Sequence, residues 1–194
     1  MLKIGLTGGI GSGKSTVAGI FSVLSIPILY ADEVSKKLMN EDAGLISSIK
    51  KHFGDECYIN GTLNREFLAK KVFNDNTQLQ LLNSLVHPAT IQYAEEWMKL
   101  QTTPYVIKEA ALIFESGSQK NLDFVIGVKA PLELRIKRAM HRDGLTKEQI
   151  LARMDKQLDE DAKMNLCDFV IVNDEHSLVI PQVLALHQKF LQKS

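Results

Sequence analysis

The feature that most limits the possible folds of this sequence is a glycine-rich run near its start, Gly8-Gly9-Ile10-Gly11-Ser12-Gly13-Lys14-Ser15. The run matches the phosphate-loop pattern G-x-x-x-x-G-K-[ST] at every fixed position. The apolar residues 2–7 before it predict a buried strand, and the apolar residues 16–18 after it begin a helix. Such a unit presents backbone N–H groups and the positive end of a helix to a phosphate. The chain is therefore predicted to bind a nucleoside triphosphate.

The lysine, the serine after it and the glycines of this loop have expected roles. Lys14 is expected to bridge the β- and γ-phosphates of ATP, and the Ser15 hydroxyl is expected to bind Mg²⁺. Glycines permit a positive φ and a close approach of the backbone to the ligand. The alternative, a glycine-rich turn without a ligand, is disfavoured because the motif and its context agree. The predicted nucleotide-binding residues of the loop are Gly8, Gly11, Ser12, Gly13, Lys14, Ser15 and Thr16.

Five short apolar runs predict buried strands, separated by helical stretches: 2–7, 26–30, 105–109, 124–128 and 169–172. Nearly continuous apolarity is typical of parallel strands that are covered on both faces. The predicted fold class is therefore α/β, with a doubly wound, parallel, five-stranded sheet of the P-loop NTPase type.

Two insertions divide the predicted core. Residues 33–103 are expected to form a helical insertion, in which Asn64 caps one helix and Pro88 breaks or restarts another. Residues 135–165 are rich in Arg, Lys and Asp and are expected to form a smaller insertion, which by its charge alone would be a solvated helical hairpin. The core then consists of residues 1–32, 104–134 and 166–194.

Charge and hydropathy narrow the choice of partners. The chain has 23 basic and 23 acidic residues, a balance that argues against nonspecific nucleic-acid binding. It contains no apolar run of 18 residues and no signal-peptide pattern at its start. We therefore expect a cytoplasmic protein without nucleic-acid or membrane partners, present as a monomer or a weak homo-oligomer.

Several classes of nucleotide-binding protein are excluded by missing motifs. A GTPase would need the guanine-reading N-K-x-D, and an ABC-type ATPase would need L-S-G-G-Q; neither occurs. A short chain with an early phosphate loop, a helical insertion and an arginine-rich later insertion instead suits a small-molecule kinase. Such a kinase must close over both substrates and exclude water, because otherwise it hydrolyses ATP.

The sequence also resembles one family, dephospho-coenzyme A (dephospho-CoA) kinase, over almost its whole length. The phosphate loop alone is shared with many unrelated proteins, so the resemblance rests on its combination with several other segments. These are Ala31-Asp32, Phe53-Gly54, residues 60–65 with Leu68 and Phe73, His87-Pro88, residues 112–115, Arg138 with Arg142-Asp143, Arg153 with Gln157, and Asp168 with Asn173.

On the acceptor side, the resemblance implies three residues. Asp32 would orient and deprotonate the ribose 3′-hydroxyl that attacks the γ-phosphate, although an Asp at this position could equally cap the following helix. Arg65 would clamp a phosphate of dephospho-CoA, or it is a solvated residue in the first turn of a helix. His87 would hydrogen-bond the substrate, or it is a histidine at a helix break.

On the nucleotide side, the resemblance implies that Glu109 binds Mg²⁺ directly or through water, although the family usually carries Asp nearby. The family uses the segment at residues 135–165 as a lid, and Arg138 and Arg142 of this lid would neutralise charge that develops during transfer. Their spacing does not decide which of them does so. Asn173 would contact adenine, or it is a plain turn residue. No role is expected for Glu115. The family often carries Gln where this chain has Arg135, so no role is carried over to that position either.

The resemblance thus implies transfer of the ATP γ-phosphate to the 3′-hydroxyl of dephospho-CoA, which yields coenzyme A and ADP. Two alternatives stay open at this point. One is a nucleoside or nucleotide kinase of the same fold, and the other is a nucleotide-binding regulatory module without transfer activity.

Overall fold

The computed structural model describes residues 1–73 and 75–194. Two compact units are present: residues 1–30 together with 100–194, and residues 31–99. The first unit contains a five-stranded sheet in which every pairing is parallel, with the strand order β2-β5-β1-β6-β7. The predicted fold class is confirmed. The strands are β1 (Leu2–Thr7), β2 (Ile28–Tyr30), β5 (Tyr105–Glu109), β6 (Phe124–Lys129) and β7 (Phe169–Val172).

Two strands differ from the prediction. β2 begins at Ile28 rather than at residue 26, because Pro27 has no N–H to donate, although its carbonyl accepts a hydrogen bond from Ile107 N (3.0 Å). β7 is an edge strand, and its Val170 is 40% exposed. The expectation that all five strands are buried on both faces is therefore wrong for β7.

The core of the sheet unit lies between one face of the sheet and two helices, α1 (Lys14–Val23) and α9 (Val179–Leu191). Phe21 of α1 packs edge-on against Tyr105 of β5, and Phe190 of α9 also contacts that ring. Because α1 begins directly at Lys14, its packing fixes the direction in which the phosphate loop leaves β1.

The arginine-rich segment forms three helices of the same unit: α6 (Leu132–Asp143), α7 (Lys147–Met154) and α8 (Glu160–Asn165). Gly144 ends α6 with φ 67°, and a reciprocal capping box between Thr146 and Gln149 begins α7. α6 packs against α7 through Ile136, Ala139 and Ile150. A short 3₁₀ helix, Ser118–Asn121, lies between β5 and β6.

In the described residues of the second unit, the α-helices are α2 (Ala31–Glu41), α3 (Ala43–Phe53), α4 (Arg65–Phe73) and α5 (Asn76–Lys99). As predicted, Asn64 caps α4, its Oδ1 accepting a hydrogen bond from Phe67 N (3.2 Å). A 3₁₀ turn (Asp55–Cys57) and a hairpin of β3 (Tyr58–Ile59) and β4 (Thr62–Leu63) connect α3 to α4. The hairpin turns at Asn60 (φ 51°) and Gly61 (φ 79°), a dipeptide typical of tight hairpins whose signal the sequence analysis overlooked.

The prediction that Pro88 breaks or restarts a helix is wrong, because α5 runs from Asn76 to Lys99 through Pro88. Pro88 has no N–H to donate to the Ser84 carbonyl, but both residues are exposed, so the proline lies on a side of the helix that water can reach. Val86 and Ala94 are buried and, with several leucines, hold the helix against α2, α3 and α4. Tertiary packing here outweighs the local preference of proline. No helix in the described residues is long and apolar enough to cross a membrane.

Candidate functional site

The phosphate loop lies between the end of β1 and the start of α1, as its motif requires. Gly11 and Gly13 have φ values of 77° and 97°, a region that favours glycine. Both also lie where a side chain would collide with a neighbour: a Cβ on Gly11 would meet the Arg135 carbonyl, and one on Gly13 would meet the Asn173 amide. The loop therefore needs glycine for its backbone conformation and for its close neighbours.

Lys14, the first residue of α1, is held over the loop. Its Nζ donates to the Gly8 carbonyl (3.0 Å) and lies 3.9 Å from Glu109 Oε1. Glu109 ends β5, and only about a tenth of its side chain is exposed. The ammonium group and this carboxylate therefore lie together at the carboxyl edge of the sheet, where open α/β sheets bind their ligands.

Ser12 is fully buried, and among the described residues its Oγ has no hydrogen-bond partner. Buried hydroxyl groups are usually paired, so the Ser12 hydroxyl is suited to hydrogen-bond a ligand that enters the loop. Ser15 and Thr16, in the first turn of α1, are exposed and keep their hydroxyls available to solvent or to a ligand. These features fit the predicted binding of a nucleotide phosphate chain.

Asn173 follows β7 directly and contacts the phosphate loop. Its Nδ2 donates to the Ser12 carbonyl (2.9 Å), and its backbone N donates to the Lys129 carbonyl at the end of β6 (2.8 Å). Arg138 of α6 donates to the Asn173 carbonyl through Nη1 (3.1 Å). Asn173 is thus more than a plain turn residue, because it connects the loop, the sheet and the lid.

Arg138 and Arg142, one helical turn apart on α6, have different surroundings. Arg138 is anchored to Asn173, and its Nη2 lies 3.5 Å from Glu175 Oε1. Arg142 makes two hydrogen bonds to the Asp143 carboxylate, at 2.7 and 3.0 Å, and its side chain is 63% exposed. These bonds raise the pKa of Arg142 and lower that of Asp143, and the charge of Glu109 contributes a smaller increase at Arg142. Arg142 is therefore within electrostatic reach of the Lys14–Glu109 pair.

Two residues beside the loop were missed by the sequence analysis. Arg135 is buried; its Nε donates to the Ile10 carbonyl (3.1 Å), and its Nη1 lies 2.7 Å from Glu160 Oε2. Gln157 Oε1 accepts a hydrogen bond from Ile10 N (3.2 Å). The family resemblance already included Gln157, and this was the signal that could have identified it. Arg135 replaces the Gln that the family often carries, and for that reason no role was assigned to it.

Glu115, for which the sequence predicts no functional role, makes contacts that connect parts of the fold. Its Oε1 accepts hydrogen bonds from Leu158 N (3.0 Å) and from the fully buried Lys163 Nζ (2.8 Å). The same ammonium group donates to the Ala111 carbonyl (3.0 Å). This pair connects the segment after β5 to the lid.

The three predicted acceptor-side residues all belong to the second unit. Asp32 is the second residue of α2 and is exposed, so the alternative expectation that it caps this helix is wrong. The helix begins one residue earlier, at Ala31. Asp32 and Glu33 therefore lie in its first turn, where the positive end of the helix stabilises carboxylates. Arg65 is the first residue of α4 and is exposed. His87 is half-buried in the middle of α5 rather than at a helix break.

Comparisons with known proteins agree with the site. The sequence profile of the family "Dephospho-CoA kinase" matches residues 2–178. A dephospho-CoA kinase from Bacteroides fragilis is 36% identical over 193 residues, which are 99% of this chain and 94% of that protein. Among solved structures, TT1252 from Thermus thermophilus has a TM-score of 0.84 and 32% identity, covering 99% of this chain and 97% of that one. Dephospho-CoA kinase from Campylobacter jejuni has a TM-score of 0.71 and 28% identity, covering 98% of each chain.

Proposed function

The chain belongs to the dephospho-CoA kinase family, and we propose that it transfers the γ-phosphate of ATP to the ribose 3′-hydroxyl of dephospho-CoA. The products are coenzyme A and ADP. The observation that carries the proposal is the family match over almost the whole chain, joined to a phosphate loop in which Lys14 lies beside Glu109. The buried Ser12 hydroxyl of this loop has no hydrogen-bond partner within the part of the chain that the structure describes. Family membership supports an ATP-dependent phosphotransferase acting on a small molecule.

At the nucleotide end, residues 8–16 hold the phosphate chain of ATP. The backbone of the loop and Lys14 stabilise its negative charge, which the start of α1 also favours. Asn173 and Arg138 lie together on the lid side of Ser12, and we assign them to the adenosine end of ATP. Lys14 and Glu109 mark the γ-phosphate end.

Ser15 and Glu109 are the residues that would hold Mg²⁺. A hydroxyl and a carboxylate are the hard oxygen ligands that this ion prefers, and Mg²⁺ usually takes only one or two protein ligands besides phosphate oxygens and waters. Among the described residues, no group of three His, Cys, Asp or Glu side chains could hold a metal without a substrate. When bound, the ion would neutralise phosphate charge during transfer.

The environments of the two lid arginines divide their roles. Arg138 is tied to Asn173 and is 28% exposed, so it positions the nucleotide. Arg142 is more exposed, and its pKa is affected by Glu109. Its guanidinium is available to leave Asp143 for the more highly charged γ-phosphate as that group transfers. Arg142 is thus the lid residue that stabilises the transition state.

In the acceptor half of the reaction, Asp32 accepts the proton of the 3′-hydroxyl, whose oxygen then attacks the γ-phosphorus in line. The bond from the γ-phosphorus to the bridging oxygen of ADP breaks as the new P–O bond forms. Arg65 binds a phosphate of dephospho-CoA, and His87 hydrogen-bonds the same substrate. A cytoplasmic location and a monomeric or weakly associating state, without nucleic-acid or membrane partners, complete the proposal.

The test is an ADP-release assay with ATP and Mg²⁺, comparing dephospho-CoA with adenosine, AMP and CMP as acceptors. We expect turnover with dephospho-CoA alone. Asp32→Asn should lower that turnover by about 10²–10⁴-fold, the contribution of a general base, with ATP affinity unchanged by calorimetry. Glu33→Gln is the matched control, because Glu33 is also exposed in the first turn of α2.

Each contrary outcome has a clear meaning. Turnover with a nucleoside or nucleotide in place of dephospho-CoA would favour the alternative kinase. ATP binding without transfer to any acceptor would favour the regulatory module. Equal rates in the Asp32 and Glu33 variants would remove the general base from the mechanism.

A further inference from the structure

Gly9, Ile10 and Gly11, which we call the apex of the phosphate loop, are held from outside by three side chains of the lid segment. Arg135 Nε donates to the Ile10 carbonyl (3.1 Å), and Gln157 Oε1 accepts from Ile10 N (3.2 Å). Both backbone groups of Ile10 are therefore engaged by side chains more than a hundred residues away in sequence.

Packing reinforces these hydrogen bonds. A Cβ on Gly9 would lie 2.5 Å from Glu160 Oε2 and 2.7 Å from Arg135 Nη2. A Cβ on Gly11 would meet the Arg135 carbonyl even more closely. The Arg135–Glu160 ion pair thus lies directly against Gly9, while the backbone of α6 lies against Gly11. The apex has no room for side chains at either glycine.

Stability alone is a poor reason for this ion pair. The side chains of Arg135 and Glu160 are only 7% and 17% exposed, and removing charges from water often costs as much as their attraction returns. Glu160 Oε1 is also buried without a hydrogen-bond partner among the described residues. A pair that served packing alone would be expected to satisfy both carboxylate oxygens. Its contact with the loop offers a better explanation.

The position of Arg135 on α6 adds a second consequence. Arg135, Arg138 and Arg142 have the i, i+3, i+7 spacing that places residues on one face of a helix. Their side chains are 7%, 28% and 63% exposed, respectively. Arg135 is therefore the buried end of a stripe whose exposed end is the arginine assigned to the γ-phosphate.

We propose that Arg135, Glu160 and Gln157 form a clasp that positions the apex of the phosphate loop against α6, so that the anion-binding backbone is ordered before ATP arrives. The three are positioning residues, because they act through the loop rather than on the substrate. The kinetic part of this inference rests on the proposed function. Ordering a binding loop in advance increases affinity by reducing the entropy lost on binding.

The experiment compares the wild type with Arg135→Gln, Glu160→Gln and Gln157→Ala. Asp161→Asn is the matched control, since it removes the neighbouring carboxylate of α8, which pairs with Lys129 at 2.8 Å instead of with Arg135. Two readouts are used: amide hydrogen exchange of residues 8–13 without nucleotide, and the separate values of kcat and of KM for ATP.

We expect the Arg135 and Glu160 variants to exchange loop amides faster and to raise the KM for ATP about tenfold, with a smaller decrease in kcat. The control should match the wild type in both readouts. The proposal is overturned if these two variants change only the melting temperature and keep the loop exchange and the KM for ATP of the control.

Gln157→Ala decides the matter if the charge variants fail to fold, because Gln157 is only half-buried and loses a single hydrogen bond to Ile10. Faster exchange at the apex would support the clasp, and unchanged exchange would overturn it. Amide hydrogen exchange is measured without nucleotide and without an acceptor. A wild type that failed to phosphorylate dephospho-CoA would therefore reject the proposed function while the clasp was still judged by exchange.

Discussion

The charged side chains assigned to the reaction are held in place in the sheet unit but are exposed in the helical unit. In the sheet unit, Lys14 is fixed between Gly8 and Glu109, and Arg138 is fixed to Asn173. In the helical unit, Asp32 and Arg65 lie exposed in the first turns of α2 and α4. The difference teaches that the phosphate-binding groups are ordered by folding itself. The charges assigned to the acceptor stay hydrated, so ordering them becomes part of the binding step.

The largest effect should come from removing a fixed charge of the sheet unit, the ammonium group of Lys14. Lys14→Met removes the ammonium group that faces the phosphates and leaves Glu109 without this cation. We expect kcat to fall by about 10²–10³-fold, comparable to the loss of one strong transition-state donor, as measured by ADP release. Lys120→Met, at an exposed position of the same unit, should match the wild type. A decrease below tenfold for Lys14→Met would contradict the assigned role.

The next effect separates two arginines of the sheet unit, the anchored Arg138 and the more exposed Arg142. Arg142→Gln should lower kcat by about 10²-fold with little change in the KM for ATP, because it removes charge stabilisation that is needed mainly in the transition state. Arg138→Gln should instead raise the KM for ATP, because it loosens Asn173. Steady-state kinetics with varied ATP distinguish the two variants. The reverse pattern would exchange the roles assigned to these arginines.

A smaller effect is expected on the exposed side. Arg65→Gln removes one charge-assisted hydrogen bond to a phosphate, worth about 1.5–3 kcal/mol. It should raise the KM for dephospho-CoA at least tenfold and leave the KM for ATP unchanged. Lys70→Gln is the control, because Lys70 is exposed on the same helix and its ammonium group pairs with Glu66 of that helix (2.7 Å). Equal behaviour of the two variants would show that Arg65 is a solvated residue of α4.

The smallest expected effect concerns stability of the helical unit at high pH. Burial raises the pKa of Tyr58 to about 12 from an ordinary value of 10.0, and its hydroxyl donates to the Met39 carbonyl (2.7 Å). The unfolded chain therefore loses this proton at lower pH than the folded protein does. The stabilisation is present below about pH 10 and is lost as the pH rises towards 12.

Tyr58→Phe should reduce this dependence, although it loses about 1 kcal/mol of hydrogen bonding at neutral pH. Urea unfolding at pH 7, 10 and 11 measures both effects. Tyr93→Phe, on α5, is the control, because Tyr93 is a tyrosine of the same unit that is not among its buried residues. The same decrease in stability above pH 10 for wild type and Tyr58→Phe would contradict the assignment.

Local sequence signals predicted the parts of this protein that depend on neighbouring residues. The phosphate-loop motif and the Asn64 cap follow from residues within a few positions of one another, and the Asn60-Gly61 turn could have been predicted in the same way. The continuity of α5 through Pro88 could not be predicted from neighbouring residues, because the packing that keeps this helix continuous comes from other helices. The clasp could not be predicted either, since Arg135 and Glu160 are 25 positions apart and only the folded chain brings them together.

The arginine stripe of α6 also limits which changes in chain length the lid can tolerate. One residue of an α-helix corresponds to a rotation of about 100°. A deletion or insertion between Arg135 and Arg138 would therefore turn Arg138 and Arg142 away from the face anchored by Arg135, even if every side chain were kept. Length variation should instead be accepted at Gly144, where α6 has ended and the chain is exposed.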